Sequence, residues 1–459
     1  MPADPIFEPL AFRYLTVANR VMRSNISGRF DNDDGSLTQT RINWETKFAR
    51  GGVGAIISSY VPVRMDGRII ANYATIHRDD FIPLWKTLGE AVRAHGSRYI
   101  MQLSHSGRQM DLPGIHNQHR PSPAPTSAPE TLHGFLCRAM GTGEVQQMVE
   151  DFGRAAWRAR EAGLDGVELH AANGYLFTQC LSSGINDRTD AYGGSLRNRA
   201  RFLLEVIEAI RRHAGPDFHL QVKLSAIDYN NVIPWEGRGN TLADTVKVAR
   251  WCEAAGADAL HVSTGSLFPH PLNPPGELPI DYLAHTYDAL ISSGIHGLRN
   301  FALFRYPALR PIFHWLWYRM KKGRPFEAVS LDEARAIKAA VSIPVINTGG
   351  YQTASVVREA LTSGAVDAVS IARSLVANND LLAQWRAGHD SPERPCTYCN
   401  KCLVNAPKNP MGCYEESRFP SREAMVEELM TIYETRPELR IPASVAQPVP
   451  ERLREEEPA

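Results

Sequence analysis

The sequence is short of cysteine, has no excess of charge of either sign and contains no long apolar run. Its 50 basic and 50 acidic residues among 459 give a formal charge of zero, so no global field attracts nucleic acid. No stretch reaches about 18 consecutive apolar residues, which argues against a membrane-spanning helix. The opening residues MPADPIFEPL lack the basic start and apolar core of a signal peptide. We therefore expect a cytoplasmic protein.

Disulfides are excluded as the framework of the fold, because the seven cysteines are few and unevenly placed. Three of them are isolated and are expected to pack as small apolar residues. The other four form a CxxCxxC pattern followed eleven positions later by a fourth cysteine. Four such thiolates can hold a [4Fe-4S] cluster or a tetrahedral zinc ion. The predicted ligands, in a metal or cluster segment at 391–415, are Cys396, Cys399, Cys402 and Cys413.

Eight segments with the composition of buried strands alternate with helical patterns through most of the chain. This alternation predicts an α/β fold, a (β/α)8 TIM barrel over 1–390. A doubly wound parallel sheet is the competing architecture, but no GxGxxG follows a predicted strand, and GTGEV at 141–145 lacks the third glycine. The predicted strands are 20–26, 53–58, 98–104, 166–169, 219–225, 259–263, 343–349 and 367–373.

A long insertion at 264–329 interrupts the alternation between the sixth and seventh strands. Its centre, 297–324, interleaves seven Lys and Arg with seven aromatic residues. This mixture is typical of a helix that lies in a membrane interface or docks on a redox partner. The alternative is a lid packed over the active site, since insertions on the rim of a barrel lie close to its mouth. Both interpretations suit a bulky, apolar substrate.

The chain is organised around 167–202, which reads VELHAANGYLFTQCLSSGINDRTDAYGGSLRNRARF. A buried strand ends here, and His170, Asn173 and Tyr175 follow one another closely. Catalytic residues collect at this end of barrel strands because the loops converge there. A lone His is more often a satisfied core residue, but the long polar run that follows exceeds what a structural turn requires. We therefore expect a catalytic site at the end of the fourth strand.

This stretch resembles the signature of the old yellow enzyme family, flavin-dependent ene-reductases on a (β/α)8 barrel. The resemblance covers roughly 5–415 and points to the 2,4-dienoyl-CoA reductase and trimethylamine dehydrogenase branch, without its C-terminal FAD and NAD domains. It implies that His170 and Asn173 polarise a substrate carbonyl over FMN, and that Tyr175 donates a proton. The cysteine segment is similar to that of trimethylamine dehydrogenase, which favours iron and sulfur over zinc.

The turns after the seventh and eighth strands, NTGGYQ and IARSL, are suited to a phosphate, because glycines let the backbone approach and helix N-termini present free N–H groups. The resemblance assigns them to the phosphate of FMN. Two positions depart from the family pattern: Lys223 replaces the customary arginine, and Asn25 replaces a customary proline. The implied FMN contacts are Ser27, Ser59, Gln102, Lys223, Gly349, Gly350, Ala372 and Arg373.

These features predict an FMN-dependent oxidoreductase that reduces an activated carbon–carbon double bond with NADH or NADPH. The resemblance implies that the nicotinamide reacts in the same pocket, and the absence of a Rossmann motif is consistent with this. Two alternatives stay open: substrate oxidation with electrons leaving through a [4Fe-4S] cluster, and a membrane-attached electron-transfer subunit with no substrate of its own. The sequence leaves the oligomeric state open. The extension at 416–459 is predicted to end in a disordered tail, rich in proline and charge.

Overall fold

Eight parallel strands form a closed barrel in the computed structural model, which describes residues 4–110, 121–229, 239–267, 270–291, 295–321, 323–441 and 445. The strands are β1 (Val21–Arg23), β2 (Ala55–Ile57), β3 (Arg98–Ser104), β4 (Gly166–Ala171), β5 (His219–Ser225), β6 (Ala259–Ser263), β7 (Val345–Thr348) and β8 (Ala368–Ile371). Their spatial order is β2–β1–β8–β7–β6–β5–β4–β3, and pairing of β2 with β3 closes the ring. The predicted (β/α)8 barrel is confirmed, and every predicted strand overlaps an observed one.

Helices cover the outside of the barrel and bury one apolar face each. Phe177, for example, packs its ring 4.8 Å from Phe152 and 5.0 Å from Phe202, which joins three neighbouring helices. The helices are α1 (Gln39–Arg50), α2 (Ile82–Arg93), α3 (Thr142–Glu161), α4 (Leu176–Leu181), α5 (Leu196–Ala214), α6 (Leu242–Ala255), α7 (Ile280–Thr286), α8 (Ile295–Arg305), α9 (Arg310–Lys321), α10 (Leu331–Lys338), α11 (Ala354–Thr362), α12 (Arg373–Ala377), α13 (Leu381–Arg386), α14 (Lys401–Asn405) and α15 (Arg422–Met430).

A short hairpin fills the amino-terminal end of the barrel. Its two strands, Leu10–Ala11 and Thr16–Val17, pair antiparallel ahead of β1. Apolar side chains of the hairpin form a buried cluster with side chains that point into the barrel, so this end is closed by hydrophobic packing. The cluster includes Leu10, Phe12, Leu15, Val17, Met22, Ile57, Ile100 and Ile346.

A layer of buried polar side chains lies in the barrel beyond that apolar cluster. The strand register sets Glu168 of β4 beside Gln102 of β3 and Gln221 of β5. Glu168 accepts hydrogen bonds from both amides, and its Oε2 lies 2.8 Å from His261 Nδ1. The other ring nitrogen of His261 lies 2.7 Å from Ser370 Oγ. A carboxylate buried in the barrel thus has a partner on three strands, as a buried charge requires.

The insertion contributes α7, α8 and α9, and α7 packs against the C-terminal extension. Tyr282 of α7 shares a buried cluster with Tyr414, Met425 and Leu429. The tail predicted to be disordered begins at 440, but Ile441 is buried in the same cluster and its carbonyl oxygen accepts from Arg422 at 2.9 Å. Positions 442–444 and 446–459 of that tail lie outside the described residues. Within the described ranges, no helix has both the length and the apolar character needed to cross a membrane.

Candidate active site

A cavity of about 340 Å³ lies at the carboxyl ends of the barrel strands. Residues that follow β1, β4, β7 and β8 converge on it, and Leu283, Thr286 and Tyr287 of the insertion form part of its wall. A largely apolar cavity with a few convergent polar groups is the usual form of a small-molecule site. The predicted site residues that line it are Ser27, His170, Asn173, Tyr175, Lys223, Gly349, Gly350, Ala372 and Arg373.

His170 lies on β4, buried, with both ring nitrogens engaged. Its Nδ1 is 3.2 Å from Ser104 Oγ, and its Nε2 is 3.3 Å from Asn173 Oδ1. An amide oxygen has no hydrogen to give, so the second contact requires the hydrogen on Nε2. Burial and, after it, the neighbouring ammonium of Lys223 lower the pKa of His170 to about 3. The ring is therefore neutral at pH 7 and carries its hydrogen on Nε2, where Asn173 Oδ1 accepts it.

Asn173 adopts a left-handed backbone conformation, with φ of 64°, which asparagine tolerates better than most residues. Its backbone N–H donates to Ser225 Oγ at 2.9 Å. Its side-chain nitrogen has three acceptors, Ser263 Oγ at 3.0 Å, the Thr264 carbonyl oxygen at 3.1 Å and Asn273 Oδ1 at 3.0 Å. The amide carries two hydrogens for these three acceptors, so one acceptor is in excess.

Tyr175 stands next to His170, with the ring centroids 4.7 Å apart, and is only 8% exposed. Burial raises the pKa of Tyr175 far above its ordinary value, and the nearby Tyr73 adds to the effect. The hydroxyl therefore keeps its proton throughout the physiological range. His170 and Tyr175 thus lie side by side in their neutral forms on one side of the cavity.

Lys223 lies beside His170 in the register of β4 and β5. Its ammonium donates to Asn25 Oδ1 at 2.5 Å, so the two residues that depart from the family pattern contact each other. Burial lowers the pKa of Lys223 to about 8, while the carboxylate of Glu168 opposes that shift. At neutral pH the cavity therefore contains a buried, largely protonated lysine.

The backbone conformation and the packing of the turn after β7 both require glycine at position 350. Gly350 has φ of 82°, and a Cβ there would lie 2.0 Å from the carbonyl oxygen of Phe326. Two residues of the cysteine segment hold this region: Tyr398 Oη donates to the Gly350 carbonyl oxygen at 2.7 Å, and Asn400 Oδ1 accepts from Arg373 Nη1 at 2.5 Å. The glycine turn and the arginine after β8 are thus fixed by the same short segment.

Ser59 and Gln102, two of the predicted cofactor contacts, are not part of the cavity wall. Ser59 donates through Oγ to the Ile26 carbonyl oxygen at 2.5 Å and through its N–H to Glu45 Oε1 at 3.3 Å, so its polar groups are engaged within the protein. Gln102 donates to Glu168, but its Oε1 is buried without a hydrogen-bond partner among the described residues. An unsatisfied acceptor of this kind is costly unless a ligand donor meets it.

The donor set of the cavity fits FMN. Arg373, next to the glycine turn and the start of α12, suits a dianionic phosphate. Lys223 suits the negative charge that a reduced isoalloxazine carries. The orphaned oxygen of Gln102 lies outside the cavity wall and is therefore not one of these groups. The residues present can therefore hold the cofactor that the resemblance implies.

The four clustered cysteines line a second, small cavity beside the first. Cys402 and Arg373 line both cavities, so the cysteine segment borders the predicted phosphate site. Burial raises the pKa of Cys399 to about 12 and that of Cys402 well above the ordinary value, so metal binding there must release protons. No three His, Cys, Asp or Glu side chains within the described ranges are gathered as ligands of one metal ion.

Several cavity-lining aromatic residues escaped prediction. Tyr60 packs 5.3 Å from Tyr175 and 5.9 Å from Tyr73, which places three tyrosines on one side. His133 stacks on Phe135 with the ring centroids 4.6 Å apart, and both line the cavity. Tyr60 lies two positions after the second predicted strand and could have been found by its position. The others lie on loops, where no local pattern marks them.

Comparison with known proteins places these features in a family. The model of the NADH:flavin oxidoreductase / NADH oxidase family matches residues 5–274. The NADH oxidase of Thermoanaerobacter brockii is 30% identical over 417 residues, covering 88% of this chain and 56% of that protein. The cinnamate reductase of Clostridium sporogenes is 27% identical over 447 residues, covering 91% and 59%. The chain therefore spans a little more than half the length of these two relatives.

A solved structure of a morphinone reductase aligns with a TM-score of 0.63 at 25% identity, covering 86% of this chain and 93% of that one. The family match extends over more than half of the chain, and it includes the stretch 167–202 that carried the resemblance. The resemblance inferred from the sequence is thus confirmed. The chain belongs to the NADH:flavin oxidoreductase / NADH oxidase family.

Proposed function

We propose that the protein is an FMN-dependent oxidoreductase that reduces the double bond of an α,β-unsaturated carbonyl compound with NADH or NADPH. The observation that carries the proposal is the convergence of His170, Tyr175 and Lys223 on one cavity at the carboxyl end of the barrel. Family membership supports the flavin. The relative named cinnamate reductase supports an activated carbon–carbon double bond as the group that is reduced.

The chain's own residues would bind and polarise the substrate. FMN, when bound, supplies the hydride that it has accepted from the nicotinamide. The Nε2–H of neutral His170 and one N–H of the Asn173 amide donate to the carbonyl oxygen of the substrate, where negative charge gathers during reduction. In the free site these hydrogens are engaged by Asn173 Oδ1 and by three acceptors around the Asn173 nitrogen, so the substrate oxygen takes the place of one acceptor at each donor.

Tyr175 completes the reaction by giving a proton to the α-carbon. Its raised pKa keeps the hydroxyl neutral, so it donates only to a strongly basic centre such as an enolate. The buried rings of Tyr60 and Tyr73 on the same side exclude water from this proton transfer. The buried environment thus suits Tyr175 to donation and disfavours its ionisation.

The test is Tyr175→Phe, assayed with NADPH and 2-cyclohexenone under anaerobic conditions. We expect the rate of enone reduction to fall by roughly 10²-fold or more, because a positioned general acid contributes about 10²–10⁴. FMN content, measured from the visible flavin bands, should be unchanged. Tyr192→Phe is the matched control, since that buried hydroxyl contacts Glu205 away from the cavity.

Two results would contradict the proposal at different levels. Full activity in Tyr175→Phe removes the assigned acid and leaves the flavin enzyme standing. Wild-type protein that takes up no FMN on reconstitution removes the proposed function as a whole.

A second candidate is substrate oxidation with electrons leaving through a [4Fe-4S] cluster on the four cysteines. The specific observation in its favour is that Cys402 lines both the small cysteine cavity and the main cavity. A cluster held by these cysteines would border the main cavity, and its chemistry would be the transfer of single electrons. Four cysteines line the small cavity, and four thiolates are the number that a [4Fe-4S] cluster or a tetrahedral zinc ion requires.

Metal analysis of protein purified without air tests this candidate. We expect about four iron and four acid-labile sulfide per chain, and loss of both in Cys402→Ser. Cys252→Ser is the control, because that buried thiol lies on α6, outside both cavity walls. One zinc per chain, or no metal at all, would reject the cluster without affecting the first proposal.

A further inference from the structure

The outer surface of α8 and α9 carries most of the exposed large apolar side chains of the described residues. Of eight such side chains in the described parts of the chain, six fall between residues 298 and 318. Their exposed fractions range from 41% to 61%, values that are unusual for tryptophan and leucine in a folded protein. We call them the apolar patch; its members are Leu298, Tyr306, Ile312, Trp315, Leu316 and Tyr318.

The inner side of α9 is already occupied, so the patch is not the face that packs on the barrel. Trp317 is 8% exposed, and its Nε1 donates to the Gly276 carbonyl oxygen at 2.8 Å. Phe313 packs on Phe304 with the ring centroids 5.4 Å apart. The helix is therefore fixed from within, and its second apolar face turns outward.

Three members of the patch lie on one face of α9. Ile312, Trp315 and Leu316 stand at positions i, i+3 and i+4, and Arg319 continues the same face at i+7. The Arg319 guanidinium lies 5.2 Å from the Trp315 ring centroid. Among the described residues, no carboxylate lies within ion-pair distance of Arg319. The face thus combines bulky apolar groups with a cation that no acidic neighbour neutralises.

The charged residues of 297–324 are also consistent with a positively charged surface beside the apolar patch. Residues 297–324 contain seven Lys and Arg and no Asp or Glu, in a chain whose formal charge is zero. Arg310 and Arg324 are paired with Asp281 and Glu333 outside the segment, each at 2.6 Å. Among the other basic residues of the segment, Arg299, Arg305 and Arg319 are exposed, while Glu277 accepts a hydrogen bond from Tyr318 at one edge of the patch. The net charge of the segment remains positive, which is complementary to a negatively charged partner.

We propose that the apolar patch binds the surface of an anionic phospholipid bilayer, with α9 lying in the interface plane. Tryptophan and tyrosine prefer the headgroup region, and Ile312 and Leu316 would enter the acyl boundary while arginines meet lipid phosphates. At twelve residues, about 18 Å, α9 is too short to span a bilayer and suits a helix that lies on it. A protein partner would be expected to present acidic groups, and the test separates that case.

The contact would place the bilayer next to the cavity wall. Phe313 of α9 contacts Phe304 of α8, and Phe304 contacts Tyr287, which lines the cavity, with ring centroids 5.1 Å apart. Rings in contact thus connect the membrane-facing helix with the candidate active site. This connection uses observed contacts alone and does not depend on the proposed reaction.

Vesicle sedimentation with the full-length protein tests the proposal. We expect the protein to pellet with vesicles of phosphatidylcholine and phosphatidylserine at 7:3, and not with phosphatidylcholine alone. Binding should weaken as NaCl rises from 50 to 500 mM, since salt screens the arginines. The triple variant Ile312→Ser, Trp315→Ser and Leu316→Ser, and separately Arg319→Glu, should lower the partition coefficient by roughly tenfold or more.

A matched control exists in the hairpin at the opposite end of the barrel. Arg13 lies 5.1 Å from the ring of exposed Tyr14, so Arg13→Glu with Tyr14→Ser changes a similar pair far from the patch. This control should bind anionic vesicles as the wild type does. Circular dichroism and thermal unfolding confirm that each variant is folded, as expected for exposed positions.

Three outcomes would overturn the proposal. They are no sedimentation with anionic vesicles, equal sedimentation of the patch variants and the wild type, and a change of oligomeric state in the patch variants without any change in vesicle binding. The last outcome would identify the patch as a contact between protein chains.

Discussion

At the scale of single residues, the charges under the cavity depend on one buried carboxylate. Burial alone would raise the pKa of Glu168, but His261 and Lys223 and the hydrogen bond from Gln102 outweigh it and lower the pKa to about 2. Glu168 therefore stays ionised beneath the cavity. Its negative charge in turn favours the protonated form of Lys223, the cation assigned to the reduced flavin.

Glu168→Gln should make the protein less stable at pH 7 and less sensitive to acid. A carboxylate whose pKa falls from 4.5 to about 2 on folding adds stability that is complete above pH 4.5 and is lost as the pH falls toward 2. The linked stabilisation is on the order of 3 kcal/mol. Urea unfolding at several pH values between 7 and 3 measures it, and the variant should show the shallower decline.

The exposed Glu208 on α5 offers the control, because Glu208→Gln removes a carboxylate that has no buried partner to lose. That variant should follow the wild-type pH dependence. Identical slopes in wild type and Glu168→Gln would show that the buried carboxylate does not couple folding to pH.

The sequence predicted which strand-end residues meet at the cavity, and it did so for a physical reason. His170 and Lys223 lie on strands, where the register fixes both the barrel end and the inward direction of the side chain. Tyr73 and His133 lie on loops, and only tertiary packing brings them to the cavity. Gln102 lies on a predicted strand, but its side-chain amide donates a hydrogen bond to Glu168. No sequence pattern predicts that partner.

At the scale of secondary-structure elements, the cysteine segment braces the turn predicted to hold phosphate. Tyr398 contacts the Gly350 carbonyl, and Asn400 contacts Arg373. Asn400 Nδ2 also donates to the Glu277 carbonyl oxygen at 2.9 Å, which ties the segment to the insertion. The segment therefore has a positioning role that is independent of whether it binds metal.

Asn400→Ala should weaken FMN binding by about tenfold or more, because it frees the Arg373 guanidinium and removes a hydrogen bond to a charged group worth about 1.5–3 kcal/mol. Quenching of flavin fluorescence on binding gives the Kd. Tyr192→Phe again serves as control, and its Kd should equal that of the wild type. An unchanged Kd in Asn400→Ala would mean that Arg373 is held by other contacts.

The sequence left two interpretations of the insertion open, and the reason lies in α9. Its inner face, with Phe313 and Trp317, and its outer face, with Ile312 and Trp315, are both apolar. A helix that is apolar on opposite sides has no clear 3.6-residue pattern that assigns one face to the core. The structure shows that the insertion contributes to the cavity wall and also exposes a second apolar surface.

At the scale of the whole molecule, cofactor binding should raise thermal stability. A ligand that binds only the folded chain stabilises it by about 2.7 kcal/mol at a concentration 100 times its Kd. The Tm should therefore increase with the logarithm of FMN concentration above the Kd. Differential scanning fluorimetry read from intrinsic tryptophan emission measures this.

Riboflavin, which lacks the phosphate, is the matched ligand for that experiment. It should raise the Tm less than FMN at equal concentration, because Arg373 and the amides at the start of α12 have no anion to bind. In Arg373→Met the difference between the two ligands should shrink. Equal shifts from both flavins in the wild type would show that no phosphate site exists at this turn.

The overall architecture could be predicted because alternating strands and helices leave few packing solutions. The hairpin that fills the barrel end could not, since its strands have two residues each and carry no periodic signal. Its role follows from the interior it fills, with Phe12 packed 4.9 Å from His219. Such a plug is defined by tertiary packing alone.

Closure of the ring has a consequence for synthesis of the chain. Val21 on β1 pairs with Val369 on β8, 348 positions later. The pairing of the first and last barrel strands therefore joins two distant parts of the sequence. Until the eighth strand has left the ribosome, β1 lacks one neighbour and presents free backbone groups. Contacts of such long range form slowly and expose nascent chains to aggregation. High yields of folded protein should therefore require slow translation or a chaperone that shields the open edge.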